Sequence, residues 1–278
     1  MPRTRKPFVA YLALWGCVST GAVYVLIGVI ALLSFFRLKD GGADEGSLMA
    51  FLQHYAAGRV LIGFLLLGMC SFIFWRFRDA FLDPQGYGRS ARGIARRAIL
   101  ALSSLADILI AWYALQALRG HSIAAANGQP RPQRAAAGAL LKATWGDRLL
   151  MTLGIITLLV AAGQVVYAFS KGYRARMRFN DLPRWKQRSI DWLAWTGHAA
   201  RGVIVGIMGW FFFKAGHSRD VRHVVNTDKA FDFIGDHLGG ALFIAVALGT
   251  VCFGIFFAAF GRYYDTGKRQ ASIVNRPA

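Results

Sequence analysis

The chain has 278 residues, of which 55% are hydrophobic, and it carries 33 lysines and arginines against 14 acidic residues. In a soluble protein, a formal charge of +19 would suggest nucleic-acid binding. The apolar residues, however, are gathered into long blocks instead of being spread as in a soluble core, and this distribution excludes an ordinary soluble domain.

Six apolar blocks follow one another along the chain, each close to the ~20 residues that a helix needs to cross a bilayer. Backbone polar groups must be satisfied within the segment in lipid, so blocks of this length are predicted to be helices. The blocks cover residues 8–36, 59–82, 98–118, 149–170, 192–213 and 239–261. The sequence therefore predicts an all-α integral membrane protein with six transmembrane helices.

Glycines recur with a constant offset of 181 residues between the first two blocks and the last two. Five glycines in register are hard to obtain by chance, so the chain is predicted to contain an internal repeat. Phe72 and Phe253 share the same offset. The matched glycines are Gly16 and Gly197, Gly21 and Gly202, Gly28 and Gly209, Gly58 and Gly239, and Gly68 and Gly249.

The predicted role of these glycines is close helix packing, since small residues let helices approach where no hydrophobic effect drives their association. Gly202, Gly206 and Gly209 share one helix face, and so do Gly21 and Gly28.

The third and fourth blocks form a divergent middle copy, in which Ala98 and Leu105 stand where the other copies have glycine. Three helix pairs that each re-enter the membrane in the same orientation are parallel repeats, and they predict a pseudo-three-fold axis along the membrane normal. The repeats are predicted over residues 8–82, 89–174 and 189–263, followed by a polar tail over 264–278.

Three tandem helix pairs of this kind resemble a bacterial membrane family, domain-of-unknown-function family 1206. The resemblance is carried by a first helix with an Arg/Trp-x-Gly-x-x-x-x-Gly pattern and a second helix that begins at a glycine, and it covers nearly the whole chain. Because its motif consists of glycine and hydrophobic residues, the resemblance implies a fold and no particular activity.

The loops between paired helices contain short apolar segments over residues 47–55, 139–146 and 227–236. We expect the first and last to be amphipathic helices at the outer interface, capped by Asp or Ser; a solvated turn is the alternative.

Basic residues are distributed unevenly, with 20 of the 33 on the face that holds both termini and 12 on the other. This bias predicts a bacterial cytoplasmic membrane protein with both termini in the cytoplasm. The basic loops are expected to contact anionic lipid headgroups and not nucleic acid. The aromatic and arginine cluster over 74–79 is expected to be a headgroup anchor.

Catalytic and metal-binding signatures are not found in the sequence, so we expect no enzyme, cofactor or metal site. Cys17, Cys70 and Cys252 lie in apolar blocks without ligand spacing, as buried fillers do.

Polar residues inside the apolar blocks are the informative exceptions, because such residues normally face a cavity or a partner. Asp107 lies near the middle of the third block, and Ser103 and Arg96 share one helical stripe with it. This stripe predicts a polar path from the basic face to mid-bilayer. The candidate residues are Arg96, Ser103, Ser104, Asp107, Gln164, His198 and Arg201.

Arg201 is a cation in the interior of the fifth apolar block, and its depth decides whether it can reach Asp107. Counting from the start of each block places the two residues at the same depth in the membrane. The repeat register instead matches Arg201 with Arg97, which places it about 15 Å nearer the cytoplasm than Asp107. We favour the register. The sequence then predicts that Asp107 forms no ion pair with Arg201 and instead bonds Ser103, Ser104 or Gln164.

The function predicted from this pattern is translocation of a small solute or ion, or interaction with lipid, along the path through Ser103 and Asp107. The alternative is a non-transporting scaffold that binds lipid or a partner protein. A water-filled vestibule would favour the first hypothesis, and a dry, tightly packed centre would favour the second.

Overall fold

The computed structural model describes residues 7–38, 42–83, 88, 90–121 and 128–265. For some of these residues only the backbone is described. They are residues 7–10 and, in the fourth helix, residues 92, 95, 96, 98–100, 102, 103, 105 and 106. The described residues are helical throughout apart from connecting loops, and an isolated bridge joins Met177 to Tyr264.

The described residues form nine α-helices. Six are long and three are short, and the short helices α2, α5 and α8 each lie between the two long helices of a predicted pair. The helices are α1 (Pro7–Phe35), α2 (Glu45–Leu52), α3 (Ala56–Leu82), α4 (Ala91–Leu118), α5 (Arg131–Leu141), α6 (Gly146–Phe169), α7 (Arg184–Ser218), α8 (Thr227–Phe233) and α9 (Gly240–Tyr263).

Five helices are long and apolar enough to cross a membrane, namely α1 (from Tyr11), α3, α6, α7 and α9. The chain is therefore a multi-pass helical membrane protein. The sixth long helix, α4, has 28 residues, but the apolar stretch in its described part is confined to Asp107–Leu118.

The long helices pack side by side in an arc that runs α4, α3, α1, α9, α7, α6. Helix α3 contacts α1 and α4, α9 contacts α1 and α7, and α6 contacts α7. Within the described ranges, no packed interface joins the two ends of the arc, α4 and α6. These two helices belong to the same predicted pair, so the middle pair is open where the other two are closed.

The two closed pairs are held by equivalent contacts. A Cβ added to Gly16 of α1 would lie 2.6 Å from the Cα atom of Phe72 in α3. A Cβ added to Gly197 of α7 would lie 2.5 Å from the Cα atom of Phe253 in α9. Both residues of the second contact lie 181 positions after those of the first, so the repeat seen in the sequence is also a repeat of packing.

Neighbouring pairs are joined by backbone contacts between glycines. Where α1 crosses α9, a Cβ on Gly21 would lie 2.4 Å from the carbonyl oxygen of Gly254. Where α7 crosses α6, a Cβ on Gly209 would lie 3.1 Å from the carbonyl oxygen of Gly154. Gly28, Gly68, Gly202 and Gly249 also face a neighbouring long helix at close range.

Three predicted packing glycines differ from the rest. The space beside Gly58 is filled by the carbonyl of Leu52, at the end of the short helix α2. Gly206 has its nearest neighbour, Ala161 Cβ, at the ordinary distance of 3.8 Å. Gly239 faces open space and has φ +94°, so its role is to turn the chain from the π-helical turn Ile234–Leu238 into α9, and the packing role predicted for it is wrong.

We call the end of the bundle that holds α2, α8 and the residues before α5 the outer end, and the opposite end the inner end. At the outer end, α2 buries Gly46–Ala50 and Leu52, and so does not lie on the surface as an amphipathic helix would. Ala230 and Phe231 of α8 are also buried, and they belong to the same hydrophobic core as Leu48 and Met49 of α2. Helix α5 begins eight residues before the predicted segment 139–146 and buries only Ala137.

At the inner end, aromatic side chains from α3 and α9 form a second core with Tyr173 and Phe179 of the loop after α6. Tyr264, expected to open a polar tail, is buried in this core. The rest of the predicted tail, beyond Asp265, lies outside the described residues.

The crossing of α1 and α9 should be sensitive to a single methyl group. We expect Gly21→Ala to lower the stability of the bundle by about 1–3 kcal/mol, because the added carbon would overlap a backbone oxygen that cannot rotate away. Gly63→Ala is the matched control, because nothing lies within 4 Å of its Cβ position in α3. Thermal melting in detergent should show a lower Tm for the first variant alone, and equal melting would contradict the close contact.

Candidate functional site

Charged side chains from four helices come together inside the bundle. Arg201 of α7 lies over the ring of Tyr24 in α1, with its guanidinium carbon 4.5 Å from the ring centroid, and 5.0 Å from that of Phe253. A guanidinium over two aromatic faces is held by cation–π attraction, which is strongest where water is excluded. Arg201 is therefore oriented by α1 and α9 before any carboxylate is considered.

Two carboxylates act on Arg201. Glu45, the first residue of α2, and Asp107 of α4 both lie within electrostatic range of its guanidinium. The Glu45 carboxylate also accepts a hydrogen bond from the Thr227 hydroxyl, at 3.4 Å to Oε2. Burial raises the pKa of Glu45 above its ordinary value, and the neighbouring Asp44 charge acts in the same direction.

Asp107 is 7% exposed, and a second arginine acts on it more strongly than Arg201 does. This residue is Arg76 of α3, whose guanidinium lies 4.7 Å from the centre of the Phe72 ring. Arg76 belongs to the aromatic and arginine cluster over 74–79, which is predicted to be a headgroup anchor at the end of the second block. Arg76 also lies within electrostatic range of Asp107 across the α3–α4 interface, a proximity that no local sequence pattern signals.

The depth predicted for Arg201 from the repeat register is wrong. Arg97 donates from Nε to the Ala80 carbonyl at 2.6 Å and from Nη2 to the Phe81 carbonyl at 2.8 Å, so it caps α3 at the inner end. Arg201, in contrast, lies within range of Asp107 and of Glu45. The register fails here because the middle copy has diverged. Among the described ion pairs, none joins Asp107 to Arg201 within 4 Å, although the two residues are neighbours.

The remaining polar candidates are separated by the open middle pair. Ser104 is fully buried on the same face as Asp107. Gln164 of α6 has a buried Oε1 atom that finds no hydrogen-bond partner in the described part of the chain. The bond predicted between Asp107 and Gln164 does not form, because α4 and α6 are not packed together. The side chains of Arg96 and Ser103 lie outside the described residues.

His198 is a buried packing residue. Its Nδ1 atom lies 2.8 Å from the Ala194 carbonyl, and its ring is surrounded by Tyr167, Phe253 and Phe256 at centroid distances of 5.1–5.5 Å. The described residues contain no group of three His, Cys, Asp or Glu side chains that could hold a metal ion.

One face of α7 is less buried above Arg201 than below it. Val205, Met208 and Phe212 continue the stripe of Arg201 toward the outer end, and all are half-buried. On the inner side, Ala194 and His198 are buried. Met208 of this stripe packs against the central hydrophobic core, and Phe212 packs against a smaller core that includes Ala137, Leu150 and Ala215.

The inner end is closed by two pairs of tyrosine and aspartate. The Tyr264 hydroxyl donates to Asp79 of α3 at 2.6 Å, and the Tyr173 hydroxyl donates to Asp191 of α7 at 2.5 Å. Arg174 forms an ion pair with Asp191 as well. Burial, and then the bond to Asp191, raise the pKa of Tyr173, which therefore remains a donor.

Comparison with known proteins finds a family model that matches two parts of the chain. The model of the family described as Domain of Unknown Function (DUF1206) matches residues 15–83 and 196–264. The two matched segments are related by the same 181-residue offset as the glycines, so the first and last pairs are two copies of one domain. The middle pair is not part of either match.

A relative from Bacillus subtilis (strain 168), described as "Uncharacterized protein YxxB", is 27% identical over 268 residues. The similarity covers 93% of this chain and 92% of the relative. No solved structure matches the chain.

The arrangement of charges predicts which residues are coupled to Asp107. We expect a double-mutant cycle of Asp107→Asn with Arg76→Met to give a larger coupling energy, on the order of 1 kcal/mol, than the cycle with Arg201→Met. The reason is that Arg76 exerts the stronger attraction on Asp107, while Arg201 is shared with Glu45 and two rings. Denaturant titration in mixed micelles measures both cycles. A larger coupling to Arg201 would reverse the assignment.

Proposed function

We propose that the chain is a six-span protein of the DUF1206 family, built from three parallel helix pairs around a pseudo-three-fold axis. The order of packing supports this arrangement. Each pair contacts the next through its second helix, in the order α3 with α4, α6 with α7 and α9 with α1, so the contacts between pairs close a cycle. The contact missing from a complete ring is the one within the middle pair.

A sixth span at α4 is supported by contacts at both of its ends. Arg97 bonds the last turn of α3 at the inner end, and Tyr113 accepts a hydrogen bond from Gln133 of α5 at the outer end, at 3.5 Å. A helix of 28 residues is about 42 Å long, enough to cross the hydrocarbon core even with charged residues in its first turns.

The proposed location is a bacterial cytoplasmic membrane, with the inner end of the bundle and both termini in the cytoplasm. By the sequence, 20 of the 33 basic residues fall on the face predicted to hold both termini. Exposed Trp185 and Trp192 lie there beside Lys186, a pattern typical of helix ends among lipid headgroups. Anionic lipids are the proposed partners, and neither nucleic-acid binding nor enzymatic activity is proposed.

Labelling from one side of the membrane tests this topology. The three native cysteines lie within spans, so a cysteine-free background can carry single cysteines at exposed positions. An impermeant thiol reagent added outside intact cells should label Lys142→Cys and Asp236→Cys, and should label Arg184→Cys only after lysis. Labelling of Arg184→Cys in intact cells would contradict the orientation.

Within this architecture, we propose that the protein conducts protons along its central charges. The observation that carries the proposal is a series of charged neighbours from four helices of all three pairs. Arg201 lies within electrostatic range of Glu45 and Asp107, and Asp107 lies within range of Arg76. Ionisable residues are costly in a membrane interior and generally mark a path for ions or protons. Glu45 and Asp107 are the groups that can take up and release a proton, while the arginines remain charged and compensate them.

A proton suits this centre better than a larger solute. Val23, Ile27 and Met69 are fully buried around it, and the glycine contacts hold the helices too close for an aqueous pore. The same dense packing favours the second candidate, a scaffold that does not transport, so a flux measurement is needed to separate the two.

Proton flux into liposomes tests the proposal. We expect the purified protein to accelerate acidification of vesicles that contain a pH-sensitive dye, under a valinomycin-clamped potassium potential. Asp107→Asn and Glu45→Gln should each reduce the rate at least tenfold, because a neutral amide cannot relay a proton. Asp236→Asn, exposed at the outer end, is the matched control and should conduct as the wild type does.

Flux through wild-type protein that does not exceed that of empty liposomes would contradict conduction and favour the scaffold. So would full flux in an Asp107→Asn variant whose melting temperature equals that of the wild type.

A further inference from the structure

We propose that the three outer loops form a latch above Glu45 that is closed at acid external pH and opens as the pH rises. The latch consists of Gly42–Asp44 before α2, Gly128 before α5, and Asn226–Asp228 at the start of α8. The inference deepens the proposed function, since it concerns the outer mouth of the same charged path.

The three loops meet at a single point. A Cβ on Gly42 would lie 2.3 Å from the Cα atom of Gly128, so these two loops touch backbone to backbone. The Asn226 side chain donates to the Gly128 carbonyl at 3.1 Å. Asp228 Oδ1 accepts the backbone N–H of Ala43 at 2.6 Å. Each helix pair thus contributes one loop to the junction.

The junction controls the start of α2. Asp44 caps this helix, accepting from the backbone N–H groups of Gly46 and Ser47 at 3.0 and 3.2 Å. Along the chain, Ala43, which is bonded to Asp228, comes directly before the capping residue Asp44, and Glu45 comes directly after it. Thr227, next to Asp228, bonds Glu45 from the other side. Breaking the bond between Ala43 and Asp228 would therefore free the segment that carries Glu45 over Arg201.

Asp228 is the titrating group of the latch. It is 8% exposed, and burial raises its pKa from 3.8 to about 6, against the opposing effect of the Ala43 bond. The charged groups that face it are Asp232 and Lys229 of α8 and Asp44 before α2; the described residues of the Gly128 loop add none. Lys229 lies 3.7 Å from Asp228 but only 2.5 Å from Asp232.

The direction of the pH effect follows from linkage. In an open latch, Asp228 meets water and titrates near its ordinary value, whereas in the closed latch its pKa is about 6. The closed state therefore binds the proton more tightly, and acid favours closure. With these two pKa values, the open fraction rises about tenfold between pH 5 and pH 8, and most of this rise occurs below pH 7.

Hydrogen exchange in nanodiscs measures the latch directly, without proton flux. Protection of the amides over residues 43–47, corrected for the intrinsic exchange rate, should fall about tenfold from pH 5 to pH 8. Asp228→Asn keeps the acceptor oxygen and removes the charge, so its protection should stay high at every pH. Asp228→Ala removes the acceptor, and its protection should be low throughout.

Asp220→Asn is the matched control. Asp220 caps the exposed turn Val221–His223, and its bonds to Arg222 lower its pKa to about 2, so it does not titrate in the range tested. This variant should follow the wild type. Wild-type protection that is independent of pH would overturn the latch, as would an Asp228→Asn variant that keeps the wild-type pH dependence.

Because exchange needs no transport, the latch and the proposed function fail separately. A pH-dependent latch in a protein that conducts no protons would leave a pH-sensitive outer junction on a scaffold. Proton flux without pH-dependent amide protection would support conduction and contradict the latch.

Discussion

Contact between helix backbones at glycine is the constraint on which the rest of this structure depends. In lipid, apolar side chains gain little by meeting one another, so helices associate through close packing and polar contacts. The Gly21–Gly254 contact brings α1 and α9 together at the level of their backbones, and the Gly154–Gly209 contact does the same for α6 and α7. With these helices fixed, Tyr24 and Arg201 face each other across the centre of the bundle.

The glycine framework could be read from the sequence because it is a periodic signal. An offset of 181 residues relates glycines, helix contacts and family matches alike. The position of α2 could not be read in the same way. Its apolar residues suit an interfacial helix as well as a buried one, and its burial is decided by the space that the long helices leave between them.

The polar site could be predicted only where its residues stand out locally. Asp107 and Arg201 are exceptional within apolar blocks, and both are part of the centre. Arg76 sits in an aromatic and basic cluster that also suits a membrane boundary, so nothing local distinguishes its role. The bond between Ala43 and Asp228 joins residues 185 positions apart, and no sequence spacing predicts it.

The divergence of the middle pair accounts for the asymmetry of the site. Without the glycines of the other copies, α4 packs on α3 alone among the long helices, and α6 packs on α7. The contact that closes each of the other two pairs is therefore missing from the described part of the middle pair.

Charge balance then links the centre to the outer junction. Arg201 is an intramembrane cation, and removing its charge from water is tolerable only with carboxylates nearby. One of them, Asp107, is fixed on a long helix. The other, Glu45, is carried on a short helix whose cap is tied to Asp228 through Ala43. Any change at the outer junction that moves α2 therefore alters the field at Arg201, and through it the field at Asp107. The loops above the membrane and the charges within it form one electrostatic unit, because the same short helix belongs to both.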